Sequence, residues 1–344
     1  MPSSIPKNDL TEIVSALSTV QTDLKQAKIF LSGGTGFFGI WLIESFLTLN
    51  QHYSLNAELF ILSRDPKKFL ARFPGLHKRP ELKFVTGDIR DFKLEAQPIS
   101  HVIHAATSAN NDLIENHALE MLDIITNGTK HLLDYCSSLK TKPKILLTSS
   151  GAVYGTQNNT LSHIPETETI SPNLYGAHGA YAVGKCMAEH LCYQYHRLYG
   201  LPIKIARCFA FVGPHLPLEG HFAIGNFIAD ALAHRPITVK ANRPVFRSYQ
   251  YPSDLMIWLW TILIKGESAK PYNVGSNEDK TLAQFAELIA NQFTPSLTVN
   301  AAPLENEEPS RYVPSIDFAK NTLGLYNRVP IQEALARTIA WHQL

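Results

Sequence analysis

From Lys28 onward, short apolar runs alternate with helix-length amphipathic stretches: AKIFLSG, GIWLIESFLTL, AELFILS, LKFVTGD, SHVIHAA, a helical stretch around Leu119 to Cys136, and PKILLTSS. Strands that read as near-continuous apolar runs are buried on both faces, and the stretches between them have the length of crossover helices. The rhythm predicts an α/β fold, a Rossmann-type doubly wound parallel sheet with helices on both sides. Ahead of it, Leu10, Ile13, Val14, Leu17 and Val20 recur at helical spacing, predicting an amphipathic helix over 9–25 laid on the following domain. Beyond Gly155 the rhythm loosens. A polar stretch from Thr156 to Asn173 precedes a helix from about Ala180 to Leu198, then the strand IKIARCF, then mixed segments rich in Pro, His and Arg. The chain therefore divides into an N-terminal helix (1–27), a dinucleotide-binding domain carrying a further helix (28–200), and a segment (201–344) that completes the sheet and forms a smaller C-terminal substrate-binding lobe.

Composition narrows the classes of partner. Over 344 residues, 31 Lys and Arg stand against 30 Asp and Glu, so no overall positive field attracts nucleic acid and any anionic ligand must be held by placed groups. Cys136, Cys186, Cys192 and Cys208 form no CxxC pair and no metal-type spacing with His, which reads as reduced thiols in a cytoplasmic protein with no metal centre. The first 31 residues lack an apolar block of signal-peptide length, and no run approaches the ~18 apolar residues of a membrane span.

The strand IFLS runs into Gly33, Gly34, Thr35, Gly36, Phe37, Phe38 and Gly39 and then a helix beginning near Ile40. Glycines at this junction let the backbone turn tightly and approach a pyrophosphate, whose charge meets the exposed N–H groups of the helix start. A glycine pattern alone is weak; at the first strand-to-helix junction of an alternating chain it points to a dinucleotide. The second strand ends in Ser63, Arg64 and Asp65. Ser63 takes the place of the acid that binds the ribose of NAD, while Arg64 supplies a positive charge suited to the phosphate of NADP. Asp65 leaves NAD open. Asp88 and Ile89, closing the third strand, border the adenine.

The strand ILLTSS delivers Ser149 and Ser150, and Tyr181 and Lys185 follow in YAVGK. Four residues apart on a helix, Tyr181 and Lys185 share a face, where the ammonium favours phenolate and lowers the phenol's pKa. Such a Tyr can exchange a proton with a sugar hydroxyl while a nicotinamide exchanges the hydride, with Ser150 bonded to the same oxygen.

GGTGFFG, GDI, HVIHAA, SSGAVYG and YAVGK, in this order, resemble the extended short-chain dehydrogenase/reductase family. ARCFAFVGP, FRSYQYPSDL and SRYVPSIDFAKNTLGL are similar to its nucleotide-sugar epimerase/dehydratase branch. The resemblance implies catalysis by Ser150, Tyr181 and Lys185, cofactor contacts from Ala105 and Ala106 as well as Tyr181 and Lys185, and a diphosphate gripped by Arg247 and Arg311. Ser149 and, from its place in the lobe, Asn226 are further candidates for substrate contact. It also implies a homodimer paired through the helix bearing Met187, His190, Leu191 and Tyr195.

Departures from the branch carry information. Gly151 and Ala152 stand where its 4,6-dehydratases place an Asp-Glu pair, and Ala210 replaces an Asn that helps hold the substrate. The expected activity is hydride transfer at C4 of a dTDP- or UDP-linked sugar, by an epimerase or a 4-ketoreductase using NADP. A 4,6-dehydratase or a reductase of small aldehydes or ketones are the alternatives. His163, His178, His215 and His221 are candidate pocket histidines, with His178, three residues before Tyr181, the foremost; Trp258, Trp260 and Tyr272 read as core.

Overall fold

The structure, a computed structural model, describes residues 5–95, 97–106, 115–175, 179–218, 220 and 222–344. The strands are β1 (Lys28–Ser32), β2 (Glu58–Ser63), β3 (Leu82–Thr86), β4 (His101–His104), β5 (Lys144–Ser150), β6 (Ile203–Cys208), β7 (Ile237–Val239), β8 (Val245–Arg247), β9 (Pro271–Val274), β10 (Lys280–Thr281), β11 (Val299–Ala301) and β12 (Ser310–Tyr312). The helices among the described residues are α1 (Lys7–Ala16), α2 (Phe37–His52), α3 (Pro66–Arg72), α4 (Ala118–Ser138), α5 (Gly179–Tyr199), α6 (Ala223–Leu232), α7 (Pro252–Lys265), α8 (Leu282–Ala290), α9 (Asp317–Leu323) and α10 (Ile331–His342).

Seven strands form one parallel sheet in the order β3-β2-β1-β4-β5-β6-β9. Alternate residues of each strand feed two cores. Ile29 and Leu31 pack with α1, α2 and α7 on one face, whereas Phe30 and Val102 pack with α4 and α5 on the other. This two-sided burial is the physical origin of the apolar runs in the sequence. The strand order reverses between β1 and β4, and the crevice outside the carboxyl ends there is where open α/β sheets take their ligands.

The sheet does not end with the first half of the chain: β6 and β9 both come from residues beyond 201. The remaining C-terminal elements build a three-stranded sheet, β10-β8-β12, and a parallel pair, β11-β7, with α6 and α8 against them. α7 is largely apolar and buried along its length, with its Trp258 and Trp260, and Tyr272 of β9, fully enclosed. The N-terminal helix stops at Ala16 instead of running to residue 25. After it, Ser18 and Thr19 lie in a turn, and a 3-10 turn over Gln21–Leu24 resumes the path. Hydroxyl side chains compete for backbone hydrogen bonds, which weakens a helix there. The apolar spacing still buries Ile13, Val14, Leu17 and Val20. Asp9, itself buried, accepts from Tyr251 (2.7 Å) and pairs with Arg337, which also reaches Glu12 and Glu333.

Candidate active site

The turn between β1 and α2 is built for close approach. Gly33 has φ +76°, a left-handed conformation that side chains resist, and a Cβ there would stand 2.2 Å from the Ala105 carbonyl oxygen at the end of β4. A Cβ on Gly39 would meet the Gly34 carbonyl oxygen at 2.1 Å, so the first turn of α2 lies directly on the loop. The helix begins at Phe37, earlier than the expected Ile40, with Gly36 as its N-cap, so Phe37 and Phe38 belong to the first turn. No side chain caps this N-terminus, leaving its N–H groups open to a diphosphate. The loop and the carboxyl ends of β1 and β4 thus fit a dinucleotide.

Below this cradle sits His104, whose role the sequence did not disclose. Its Nδ1 meets Ser32 Oγ at 2.7 Å and its Nε2 meets Thr129 Oγ1 at 3.0 Å, tying β1, β4 and α4 together. Burial lowers its pKa to about 3, so it is a neutral strut and not a proton carrier.

At the β2 end, Ser63 Oγ accepts from the Asp65 N–H, and Asp65 caps α3 by accepting from Lys68 N at 3.0 Å. Arg64 stands exposed. Asp88 is held by Arg90, which also reaches Asp123 on α4, and these pairings keep the Asp88 carboxyl below its usual range. Ile89 is buried against Gly128 in the second core.

Ser150 ends β5, and its Oγ accepts the Ala152 N–H at 3.1 Å. Tyr181 and Lys185 lie in the first turns of α5, with the Lys185 Nζ 5.7 Å from the Tyr181 ring centre and donating to the Thr148 carbonyl at 2.8 Å. Thr148 in turn donates to the His104 carbonyl at 3.1 Å, linking the trio to the cradle. The expected depression of the Tyr181 pKa by Lys185 needs correction. Burial pushes the phenol up to about 12, opposed by a hydrogen bond with Ser150, while burial draws the Lys185 ammonium down to about 8.

Ser149 faces a different environment. Its hydroxyl donates to Glu189, which pairs with Arg207 at 2.8 Å; Arg207 donates to the Tyr154 oxygen at 2.7 Å, and Tyr154 donates to Asn273 at 2.9 Å. This buried chain braces β5, β6, α5 and β9 behind the trio, and the Ser149 proton is committed to Glu189. Successive residues of a strand point to opposite faces, which is why Ser149 and Ser150 part company.

In the C-terminal lobe, Arg247 of β8 is half-buried, donates only to the Phe246 carbonyl at 2.8 Å, and has no carboxylate partner among the described residues. Arg311 is already matched, ion-paired with Asp279 at 2.9 Å and stacked 3.8 Å above the Phe246 ring centre. Asn226 is exposed and donates to the Gly220 carbonyl at 2.9 Å. Beside Arg247 in register lies Tyr312, which sequence reasoning passed over. Its hydroxyl stands 2.7 Å from where a Cβ on Gly151, the residue after Ser150, would be. The glycine after Ser150 was the signal for such a neighbour.

Of the candidate histidines, His163 is fixed between Ser162 Oγ (2.9 Å) and the Asn277 carbonyl (3.0 Å), and His215 packs between Phe73 and Trp341, where burial holds its pKa at about 4. His178 and His221 lie outside the described residues. The apolar set on α5 also splits: Met187 and His190 are exposed, whereas Tyr195 is buried and bonds Asp134, and Leu191 packs on the second core. No helix among the described residues is long and apolar enough to cross a membrane.

Known proteins share this architecture. UDP-glucuronic acid decarboxylase 5 of Arabidopsis thaliana is 28% identical over 309 residues, covering 90% of this chain and 87% of the relative. The crystal structure of dTDP-glucose 4,6-dehydratase from Bacillus anthracis in complex with NAD superposes with a TM-score of 0.76 at 20% identity, covering 92% of this chain and 96% of that one. UDP-glucose 4-epimerase from Thermotoga maritima with UDP-glucose gives 0.76 at 18% identity, covering 92% and 98%. Residues 29–275 match the family described as NAD dependent epimerase/dehydratase, more than half of the chain and including the glycine cradle, Ser150, Tyr181, Lys185 and Arg247. The chain belongs to the NAD-dependent epimerase/dehydratase family of extended short-chain dehydrogenases/reductases.

Proposed function

We propose that the protein moves a hydride at C4 of a nucleoside diphosphate sugar, as a 4-ketoreductase or an epimerase, using NADP. The observation that carries this reading is the placement of a half-buried guanidinium with no carboxylate partner among the described residues, Arg247, in register with Tyr312, whose hydroxyl lies against Gly151 next to Ser150. An Arg fork suits a diphosphate, and its position leaves the sugar to extend towards Ser150 and Tyr181. The UDP-sugar decarboxylases among its relatives support a uridine nucleotide.

Once bound, the nicotinamide supplies the hydride donor or acceptor. In the reductive direction Tyr181, neutral at physiological pH, gives its proton to the C4 oxygen as the hydride arrives; its raised pKa suits that acid role. In the oxidative direction Tyr181 must act as the phenolate, and Ser150 bonds the same oxygen. The Lys185 ammonium, held on the Thr148 carbonyl, keeps positive charge at the tyrosine ring. NADP is favoured because Asp65, the acid that would bind ribose hydroxyls, is turned into the α3 cap while Arg64 stands exposed beside it. Gly151 and Ala152 supply no carboxylate for water elimination, which argues against a 4,6-dehydratase.

The similarity to UDP-glucuronic acid decarboxylases favours one second reading. A 4-keto uronic acid sugar is a β-keto acid and loses carbon dioxide without a general base, so the missing carboxylates do not bar it. Incubation with UDP-glucose, UDP-glucuronate, dTDP-glucose and a 4-keto sugar, with product analysis by NMR, separates the outcomes. C4 inversion without cofactor consumption marks an epimerase, stoichiometric NADPH oxidation a reductase, and loss of C6 a decarboxylase. Turnover of small ketones alone, unaffected by Arg247→Ala, contradicts the nucleotide-sugar reading.

A further inference from the structure

The segment that follows β2 carries more positive charge than the fold neutralises. Between positions 64 and 80 stand six Lys and Arg against one acid, Asp65, in a chain whose formal net charge is only +1. Arg64, Lys67, Lys68, Arg72 and Lys78 are all exposed, and none of them forms a salt bridge among the described residues, whereas Arg79 is paired with Glu81. Asp65 is committed to the α3 cap, on Lys68 N at 3.0 Å. Asp88, which feels the Arg64 charge, is already held by Arg90. Arg72 rests over the Phe73 ring, 5.4 Å from its centre, a contact that leaves its charge in place.

Local stability does not account for this choice of residues. Phe69 turns into the core, and the exposed side of α3 carries Lys67, Lys68 and Arg72. Lys67 and Lys68 stand in the first turn, where the helix dipole disfavours positive charge. Lys68 and Arg72 are four residues apart, a like-charge pair that weakens a helix. Residues that run against local preference mark a place where the charge serves something outside the fold. Their position names the partner. β2 lies beside β1, with Leu62 in register with Ser32, so Arg64 and α3 flank the glycine turn that fits a dinucleotide. NADP brings a diphosphate and a further phosphate of about −1.5 to −2 charge at pH 7. We propose that Lys67, Lys68 and Arg72 form an electrostatic capture surface for the phosphates of the incoming cofactor, raising its association rate while Arg64 meets the bound molecule. A surface patch of one sign raises the encounter rate of an oppositely charged ligand by about 10- to 1,000-fold, and salt abolishes the effect.

This inference rests on the reading that NADP enters beside Arg64, and its test is separable from that reading. Association and dissociation of NADPH and of NADH with the full chain are followed by stopped-flow nicotinamide fluorescence, in the wild type and in Lys67→Gln/Lys68→Gln/Arg72→Gln. The expected result is an NADPH association rate about tenfold lower in the triple variant at about 0.01 M ionic strength, with the difference lost near about 1 M, where the Debye length shrinks from about 30 to about 3 Å. NADH, which carries less charge, is slowed less, and the dissociation rates of both are unchanged. The variant should melt no lower than the wild type, because it removes a like-charge pair, so slower association is not misfolding. Lys68→Glu should slow NADPH more than Lys68→Gln does. An association rate equal in the wild type and the triple variant, a deficit that persists at high salt, or a loss that falls on dissociation instead overturns the proposal. The NADP reading fails on a different result, wild-type protein binding NADH more tightly than NADPH, and the capture surface then still shows as salt-dependent slowing of NADH.

Discussion

Replacing Arg247 by Ala tests the group on which the proposed nucleotide-sugar recognition depends. Its guanidinium is half-buried and, among the described residues, meets no carboxylate and makes one hydrogen bond, to its neighbour's carbonyl. Burial without a counter-ion disfavours its charge, which holds its pKa below the usual arginine range. A bound diphosphate supplies the missing anion. Hydrogen bonds to charged groups contribute about 1.5–3 kcal/mol each, so loss of the net arginine–phosphate contact should cost about 2–3 kcal/mol. At about 1.4 kcal/mol per tenfold, that is roughly 30- to 150-fold in affinity. Titration calorimetry with UDP alone measures it without knowledge of the sugar. Arg311→Ala is the internal comparison: that guanidinium is already neutralised by Asp279 and stacked on Phe246, and its loss should weaken UDP by less than about fivefold. Because the Arg247 charge has no carboxylate partner among the described residues, its removal should not lower the melting temperature. Binding of UDP to Arg247→Ala within threefold of the wild type, with Arg311→Ala the weaker binder, would refute the assignment.

Two further outcomes follow from the geometry. Arg64→Ala should weaken NADPH roughly tenfold and leave NADH unchanged in fluorescence titrations, because the exposed guanidinium suits the extra phosphate; an equal loss for both cofactors would show that it does not select between them. Asp254, fully buried, has one carboxylate oxygen on the Arg328 and Val329 N–H groups and the other unpartnered, and burial raises its pKa from 3.8 to about 6. A carboxyl whose pKa is raised on folding is destabilising when ionised, so stability is complete below about pH 4 and falls as pH rises to about 6, by about 3 kcal/mol for two pH units. Asp254→Asn keeps the accepting oxygen and should narrow the difference in melting temperature between pH 4 and pH 7; an unchanged difference would place the pH dependence elsewhere.

The parts of this molecule legible in the sequence are those set by local pattern. Two-sided burial wrote the strands as apolar runs, the Gly33 turn needed a residue without a side chain, and the four-residue spacing of Tyr181 and Lys185 put them on one helix face. What remained hidden depended on which distant groups share a hydrogen bond. Ser149 and Ser150 look alike in the chain, yet only the pairing of β5 with β6 shows that Ser149 meets the Glu189–Arg207 pair. Arg247 and Arg311 were both read as diphosphate ligands, and Asp279, 32 positions before Arg311, sets the second apart. Tyr312 was invisible because 162 residues of chain, the difference between positions 150 and 312, lie between it and Ser150. The end of α1 was misjudged because its apolar spacing continues through a turn that buries the same residues.

Hydride transfer governed by Tyr181 is tested most directly by the absorbance of reduced nicotinamide at 340 nm. Wild-type protein and Tyr181→Phe, each loaded with NADP+ or NAD+, are mixed with a panel of UDP- and dTDP-sugars under single-turnover conditions. The expected result is a rise at 340 nm with at least one nucleotide sugar in the wild type, slowed by 100-fold or roughly more in Tyr181→Phe, in line with the contribution of general acid–base catalysis. No rise with any nucleotide sugar, or an equal rise in both proteins, would contradict it.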